Sequence, residues 1–413
     1  MTYVPEKILL DLENKLKAKD FKLNSLLEIT KTINLNKPVD ELMRLYQFIL
    51  HEQLGLRKFI LFANQRGWQI LIKSGIRGSV KDIQVERDIL RFREITVIES
   101  SHKKSLNEFD VVIPVLHKDQ ALAYLVIGGL REIQNKPQPA FANLNFIQTL
   151  TNIMVVAIEN KRMAKESVKQ ELVKRELEQA SEMQRLLYPS NLPSNHKIDI
   201  SAKYLSHNKV SGDYYDYIKL NDDEFIICIA DVSGKGLSAA MLMANFQATV
   251  RTMYRYGRRD LKELIHELNT QVFDSAHGEK FITFFIAEYN ASTRKMKYVN
   301  AGHNWPVLIR GKSSRFLNKG CIGLGMLEEI PHIESEELEI QNNTTIILYT
   351  DGVVELENNA DEQFETDRLT KIVQSFYPLS MEDLNEIIFS KLDDWRGSRR
   401  YVDDTAILSC RIF

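Results

Sequence analysis

The chain lacks the features that mark several protein classes. It has only three cysteines in 413 residues (Cys228, Cys321 and Cys410), widely spaced in apolar or small-residue surroundings. That excludes a disulfide framework and fits reduced, buried thiols in a cytoplasmic protein. No stretch approaches the ~20 apolar residues of a membrane span, so no membrane insertion is expected. The most apolar run, Ala121 to Leu130, is too short and closes on the pair Gly128-Gly129. The start, Met1 to Lys7, offers no basic region leading into an apolar core, so no secretory leader is expected. A net charge of −2 argues against nucleic-acid binding driven by bulk charge. There is no Gly/Ser-rich linker and no repeat of fixed period.

What is present points to several packed units. The length favours two or three domains, and a hydrophobic content of 44% supplies their cores. Residues 1–34 form an N-terminal helix by pattern. Leu9, Leu12, Leu16, Lys19, Leu23, Leu26, Thr30 and Ile33 step by three and four, a seam that suits either packing on the chain's own domain or a dimeric coiled coil. Residues 35–160 alternate helix and strand patterns. Val39 to Leu54 reads as a helix, and Lys58 to Phe62 with Trp68 to Ile72 as strands. Val111 to Leu116 and Ala121 to Gly128 pair across Lys118-Asp119-Gln120, and Phe141 to Asn160 reads as a long helix. Residues 161–192 are a second helical segment with the seam Val173, Leu177, Ala180, Gln184 and Leu187, ended by Pro189 and Pro193. It predicts a stiff connector. Residues 193–413 are dominated by strand patterns with helices at Leu237 to Tyr256, Leu261 to Phe273 and Met381 to Leu392, which predicts a β-sandwich flanked by helices and an α+β fold overall.

Four aspartates in this last segment stand in glycine-marked or paired-acid motifs at the ends of apolar runs. The motifs are Ser211-Gly212-Asp213-Tyr214-Tyr215-Asp216, Ala230-Asp231-Val232-Ser233-Gly234-Lys235-Gly236, Tyr349-Thr350-Asp351-Gly352 and Val402-Asp403-Asp404-Thr405. Strand ends far apart in sequence can converge in space. Taken singly, each motif is an ordinary cap or turn. Oxygen donors without His or Cys suit Mg²⁺ or Mn²⁺ rather than Zn²⁺, chemistry that fits hydrolysis of a phosphate ester. The Gly-x-Gly string has neither the third glycine of a dinucleotide fingerprint nor the ending of a P-loop. Asp216, three residues after Asp213, points to the opposite face of an extended strand and reads as structural.

In their order, these motifs, with Asn300-Ala301-Gly302-His303-Asn304-Trp305-Pro306 and Gly323-Leu324-Gly325, resemble the SpoIIE-like branch of the PPM metal-dependent serine/threonine phosphatases. Val111-Val112-Ile113-Pro114-Val115, followed by Leu125-Val126-Ile127-Gly128 and a long helix, resembles the C-terminal half of a GAF sensor domain. The phosphatase resemblance implies two Mn²⁺ or Mg²⁺ ions. Asp231 would bridge them and Val232 would lend its carbonyl. Asp351 and Asp403 would complete one site, and Asp213 would help hold the other. Water activated between the ions would attack phosphorus in line. Asp404 shares the last motif, which leaves its division of labour with Asp403 open. His303 is either a proton donor to the leaving serine oxygen or a loop-tying strand-end residue. Two departures stand out: Ser238 where a proline is usual, and Glu365 where a glycine is common.

The implied substrate is a phosphoprotein, a STAS-type antagonist in a partner-switching pathway, with regulation through the GAF-like domain, the helical connector and a homodimer. The GAF-like segment has no cysteine for a thioether-linked chromophore, and its scattered His51, His102 and His117 make no ligand pair. Two other readings compete: a hydrolase of small phosphate esters, and a non-catalytic regulator that binds a partner.

Overall fold

The computed structural model describes residues 6–76, 83–98, 106–117, 120–130, 143–207, 209–257 and 260–413. The expected turn at Lys118-Asp119, the first residues of the helix expected from Phe141, and His102 lie outside them. The chain divides into two compact units, Met1–Gln170 and Glu171–Phe413.

The first unit contains helices α1 (Glu6–Asn34) and α2 (Val39–Phe48), the latter running into a π-helical turn at Ile49–Gln53. Strands β1 (Lys58–Asn64) and β2 (Trp68–Ser74), the short helix α3 (Val85–Asp88), and strands β3 (Thr96–Val97), β4 (Val111–His117) and β5 (Gln120–Gly128) follow. Helix α4 (Leu144–Arg185) begins here. The strands make an antiparallel sheet in the order β2-β1-β5-β4-β3. Alternate residues of the inner strands bury on opposite faces. Phe59, Leu61, Ile113, Leu125 and Ile127 pack with Ile29, Leu42, Tyr46, Ile147 and Met154 of the helices. Ile60, Phe62, Val112 and Val126 pack with Val85, Ile89 and Phe92. Covering both faces explains why these strands read as continuous apolar runs. Where the sequence predicts two helices over 141–160 and 161–188, the structure has one. No Gly or Pro interrupts residues 144–185, so nothing breaks it before Arg185.

The second unit contains β6 (Ile198–Leu205), β7 (Tyr214–Lys219), β8 (Glu224–Val232), α5 (Leu237–Tyr256), α6 (Leu261–Ala276), β9 (Ile282–Asn290), β10 (Lys295–Ala301), β11 (Val307–Arg310), β12 (Ser313–Phe316), β13 (Gly320–Cys321), β14 (Glu336–Glu339), β15 (Thr344–Tyr349), α7 (Asp351–Val354), α8 (Glu365–Ser375), α9 (Met381–Arg396) and β16 (Thr405–Ile412). One sheet runs β13-β10-β9-β8-β7 with β14 beside β10, and the other runs β12-β11-β15-β16-β6. Strand β8 shows how four layers stack. Phe225, Ile227 and Ile229 face the second sheet with Ile346, Leu348 and Leu408. Ile226, Cys228, Ala230 and Val232 face α5 and α6 through Met243, Phe246 and Leu268. Beyond the second sheet, Ile347 and Ile407 meet α8 and α9 at Leu369, Leu384 and Ile388. The result is a helix–sheet–sheet–helix sandwich.

Glu365 opens α8 with φ +64°. A side chain there costs about 1–2 kcal/mol that glycine avoids, offset by glycine's freer unfolded chain. Glu365→Gly is therefore expected to stabilise the second unit by about 0.5–1 kcal/mol. A urea midpoint equal to or below that of the parent protein would count against this account.

Candidate active site

The sandwich brings the four aspartate motifs to one end because antiparallel neighbours place one strand's start beside the other's finish. Asp213 immediately precedes β7 and Asp231 is the last residue but one of β8, where Tyr214 pairs with Ala230. Asp351 follows β15 and Asp403-Asp404 precede β16, where Tyr349 pairs with Ile407. Two glycines permit the close approach. A Cβ on Gly212 would lie 3.0 Å from the Val232 carbonyl oxygen, and one on Gly352 would lie 2.0 Å from the Asp404 carbonyl oxygen. Only a residue without a side chain fits at Gly352.

The carboxylates feel one another. Burial first, then the charge of Asp351, pushes the Asp231 carboxyl up to about 7. Burial first, then Asp403, pushes Asp351 up to about 6. Asp213 is 2% exposed, and burial with the charges of Asp231 and Asp404 drives its pKa well above the carboxylate range. Its Oδ2 accepts a hydrogen bond from the Thr350 hydroxyl at 2.9 Å, and Thr350 Oγ1 in turn accepts from the Ala406 amide. Asp404 Oδ1 accepts the His207 amide at 2.7 Å. Asp403 accepts the Asp404 amide through Oδ1 and pairs with Lys235 Nζ at 2.7 Å through Oδ2.

Among the described residues, no three Asp, Glu, His or Cys side chains stand close enough together, as oriented, to chelate one ion. Asp403, Asp404 and Asp213 each turn an oxygen to a different protein donor. As a donor set they nevertheless fit a hard divalent cation. All are oxygens, and their buried, mutually repelling charge is what such a cation neutralises.

Residues 221–413 match the family model described as "Stage II sporulation protein E (SpoIIE)". They form a SpoIIE-type PPM phosphatase domain. The motif holding Asp213 lies ahead of the matched residues. The chain is 27% identical over 277 residues to "Phosphoserine phosphatase RsbU" of Bacillus subtilis (strain 168), covering 66% of this chain and 80% of that protein. To "Phosphoserine phosphatase RsbP" of the same organism it is 27% identical over 187 residues, 44% of this chain and 46% of that one. The fold is that of the "SiaA-PP2C domain of Pseudomonas aeruginosa", with a TM-score of 0.53 at 19% identity over 59% of this chain and 99% of that one.

Two of the candidate residues do not join the aspartate cluster. Asp216 faces α5, fully buried, and takes Arg251 by two bonds of 2.7 and 2.8 Å and the Tyr214 hydroxyl at 2.6 Å. His303 is buried, which lowers its pKa to about 4 and keeps it neutral. Its Nε2–H donates to the Tyr349 carbonyl at 3.1 Å, so Nδ1 accepts from the Thr283 hydroxyl at 2.8 Å. Both ring nitrogens are committed to protein partners.

Other residues at the domain's site have no individual role assigned to them from the sequence. Gln184, 9% exposed near the end of α4, donates to the Ser211 carbonyl at 2.7 Å and accepts its amide at 3.0 Å. Ser211 Oγ accepts the Asp213 amide, and the Tyr188 hydroxyl donates to the Asp213 carbonyl at 2.7 Å. Gln184 sits in the apolar seam, where the sequence reads it as one more helical step. Thr350 and Lys235 lie inside motifs already marked for their aspartates.

Proposed function

We propose that this chain hydrolyses phosphoserine or phosphothreonine on a protein partner of STAS type in bacterial signalling, using two Mn²⁺ or Mg²⁺ ions. The convergence of Asp213, Asp231, Asp351 and Asp403, with Asp404 beside them, carries this reading: four distant motifs gather carboxylates, and burial together with their neighbours' charge raises the pKa of Asp213, Asp231 and Asp351. Asp231 would serve both ions and Val232 would lend its carbonyl, with Asp351 and Asp403 on one ion and Asp213 on the other. When bound, such ions lower the pKa of water and neutralise the oxygens of the transferring phosphoryl group. The chain's own part is to hold these donors in place. Thr350 orients Asp213, and His303 ties the loop after β10 to the Tyr349 carbonyl, two residues before Asp351.

Regulation through the helical segment and a GAF-like first unit belongs to the same proposal. Its support is the grip of Gln184 and Tyr188 on the Asp213 loop. A homodimer is supported by the exposed stripe of Leu9, Leu12, Leu16 and Leu23 along α1, apolar surface that a second helix would cover. No helix among the described residues is long and apolar enough to cross a membrane; a cytoplasmic site of action is part of the proposal.

The test is a comparison of substrates with Mn²⁺ and with EDTA. A phosphoserine peptide should be hydrolysed only with the metal, and ATP should survive. Cleavage of ATP in preference to the peptide would favour the small-ester hydrolase, and no turnover of either would favour the non-catalytic regulator.

A further inference from the structure

The ion pair between Lys235 and Asp403 sets a cation of the protein's own against one of the oxygens that the proposed metal site needs. Lys235 lies between Gly234 and Gly236 in the loop that leaves β8. That loop is fixed on one side by Ser233, whose amide and hydroxyl bond Phe281 at 2.9 Å each and whose carbonyl accepts Lys280 Nζ at 2.9 Å. On the other side Lys235 Nζ reaches the Val402 carbonyl at 2.8 Å and Asp403 Oδ2 at 2.7 Å. Asp403 Oδ1 is already occupied by the Asp404 amide. Both oxygens of Asp403 are therefore engaged, one of them by an ammonium group.

An ammonium and a divalent cation on the same carboxylate oxygen repel each other. The Lys235 side chain is half exposed, so it can swing into solvent at little cost. Displacement, not blockage, is the consequence. Resting on the metal reading above, we propose that Lys235 is a built-in competitor for the ion that takes Asp403: it holds this carboxylate until the ion displaces it, and so makes that position the weaker of the two. It is a positioning residue, acting on the metal through Asp403. A lysine that merely braced the loop would have the opposite signature, because its removal would loosen Asp403 and weaken ion binding.

The experiment titrates Mn²⁺ into the full chain and reads the free ion by electron paramagnetic resonance, for the parent protein, Lys235→Met, Lys235→Gln and Lys235→Arg. Thermal melts identify which variants are folded. The weaker Mn²⁺ site should tighten threefold to tenfold in Lys235→Met and Lys235→Gln, while Lys235→Arg, which restores the ion pair, should stay within about twofold of the parent. Unchanged or weaker binding in a folded neutral variant would overturn the competitor role and leave the metal site standing. Absence of Mn²⁺ binding in the parent and in the variants alike would overturn the metal site, and the role of Lys235 with it.

Discussion

Asp231→Asn is expected to abolish phosphatase turnover and, in EDTA, to make the protein more stable. The first effect follows from the shared position proposed for Asp231. Losing a carboxylate common to both ions should lower Mn²⁺-dependent hydrolysis of p-nitrophenyl phosphate by at least about a thousandfold. The second follows from the environment of the carboxyl group, which burial and Asp351 push up to about 7 from an ordinary value of 3.8. Below pH ~4 the group is protonated in both folded and unfolded chains and costs nothing. Between pH ~4 and 7 the unfolded chain has released the proton and the folded chain still holds it, so stability falls as pH rises. Three pKa units correspond to about 4 kcal/mol as an upper limit, which residual hydration reduces to about 1–3 kcal/mol. In EDTA the variant should therefore melt about 3–10 °C above the parent at pH 7.5, and the two should converge near pH 4. Mn²⁺ should raise the melting temperature of the parent and leave the variant nearly unmoved. A variant that keeps turnover would remove Asp231 from the site. One that is inactive but less stable than the parent would show that the carboxylate serves the fold.

That trade of stability for function explains why the site was legible in the sequence. Strand β8 is apolar on both faces, so an aspartate at its end breaks the local pattern, and the same holds for Asp351 after β15. The glycines belong to the same signal, since Gly352 leaves no room for a Cβ beside the Asp404 carbonyl. The short, more exposed strands β12, β13 and β14 left no such trace, whereas the core strands of the sandwich were legible as apolar runs because both of their faces are buried. Helix α8 was not, because it starts on Glu365 in a left-handed conformation instead of at a recognisable cap. Nor were the bonds that orient the aspartates. Thr350 meets Asp213 across 137 positions and Lys235 meets Asp403 across 168, and nothing local to a threonine or a lysine reports such a partner. Polar residues whose partner is set by tertiary packing look like surface residues or interruptions until the fold is known.

Gln184 is the clearest such case, and its removal should be felt at the site. Its amide satisfies both backbone groups of Ser211, whose hydroxyl in turn receives the Asp213 amide. Gln184→Ala leaves a buried carbonyl and a buried amide without partners, a cost of about 1–3 kcal/mol for each that the loop can relieve only by moving. Asp213 moves with it. Turnover should fall tenfold to a hundredfold, with a matching rise in the Mn²⁺ concentration needed for half-maximal rate. Tyr188→Phe deletes a single bond to the Asp213 carbonyl and should cost a few-fold. Glu178→Ala is the control. It breaks a half-exposed ion pair at 3.0 Å between the same helix and Lys209, at the start of that loop, while leaving every bond to Ser211 and Asp213 in place, and should change neither quantity by more than about twofold. If Gln184→Ala leaves turnover and metal requirement where they were, the helix does not position Asp213. If it raises turnover, the grip restrains the enzyme. The expected loss would mean that the end of this helix forms part of the active site, so that any signal able to shift it by a fraction of a hydrogen bond acts directly on a metal ligand.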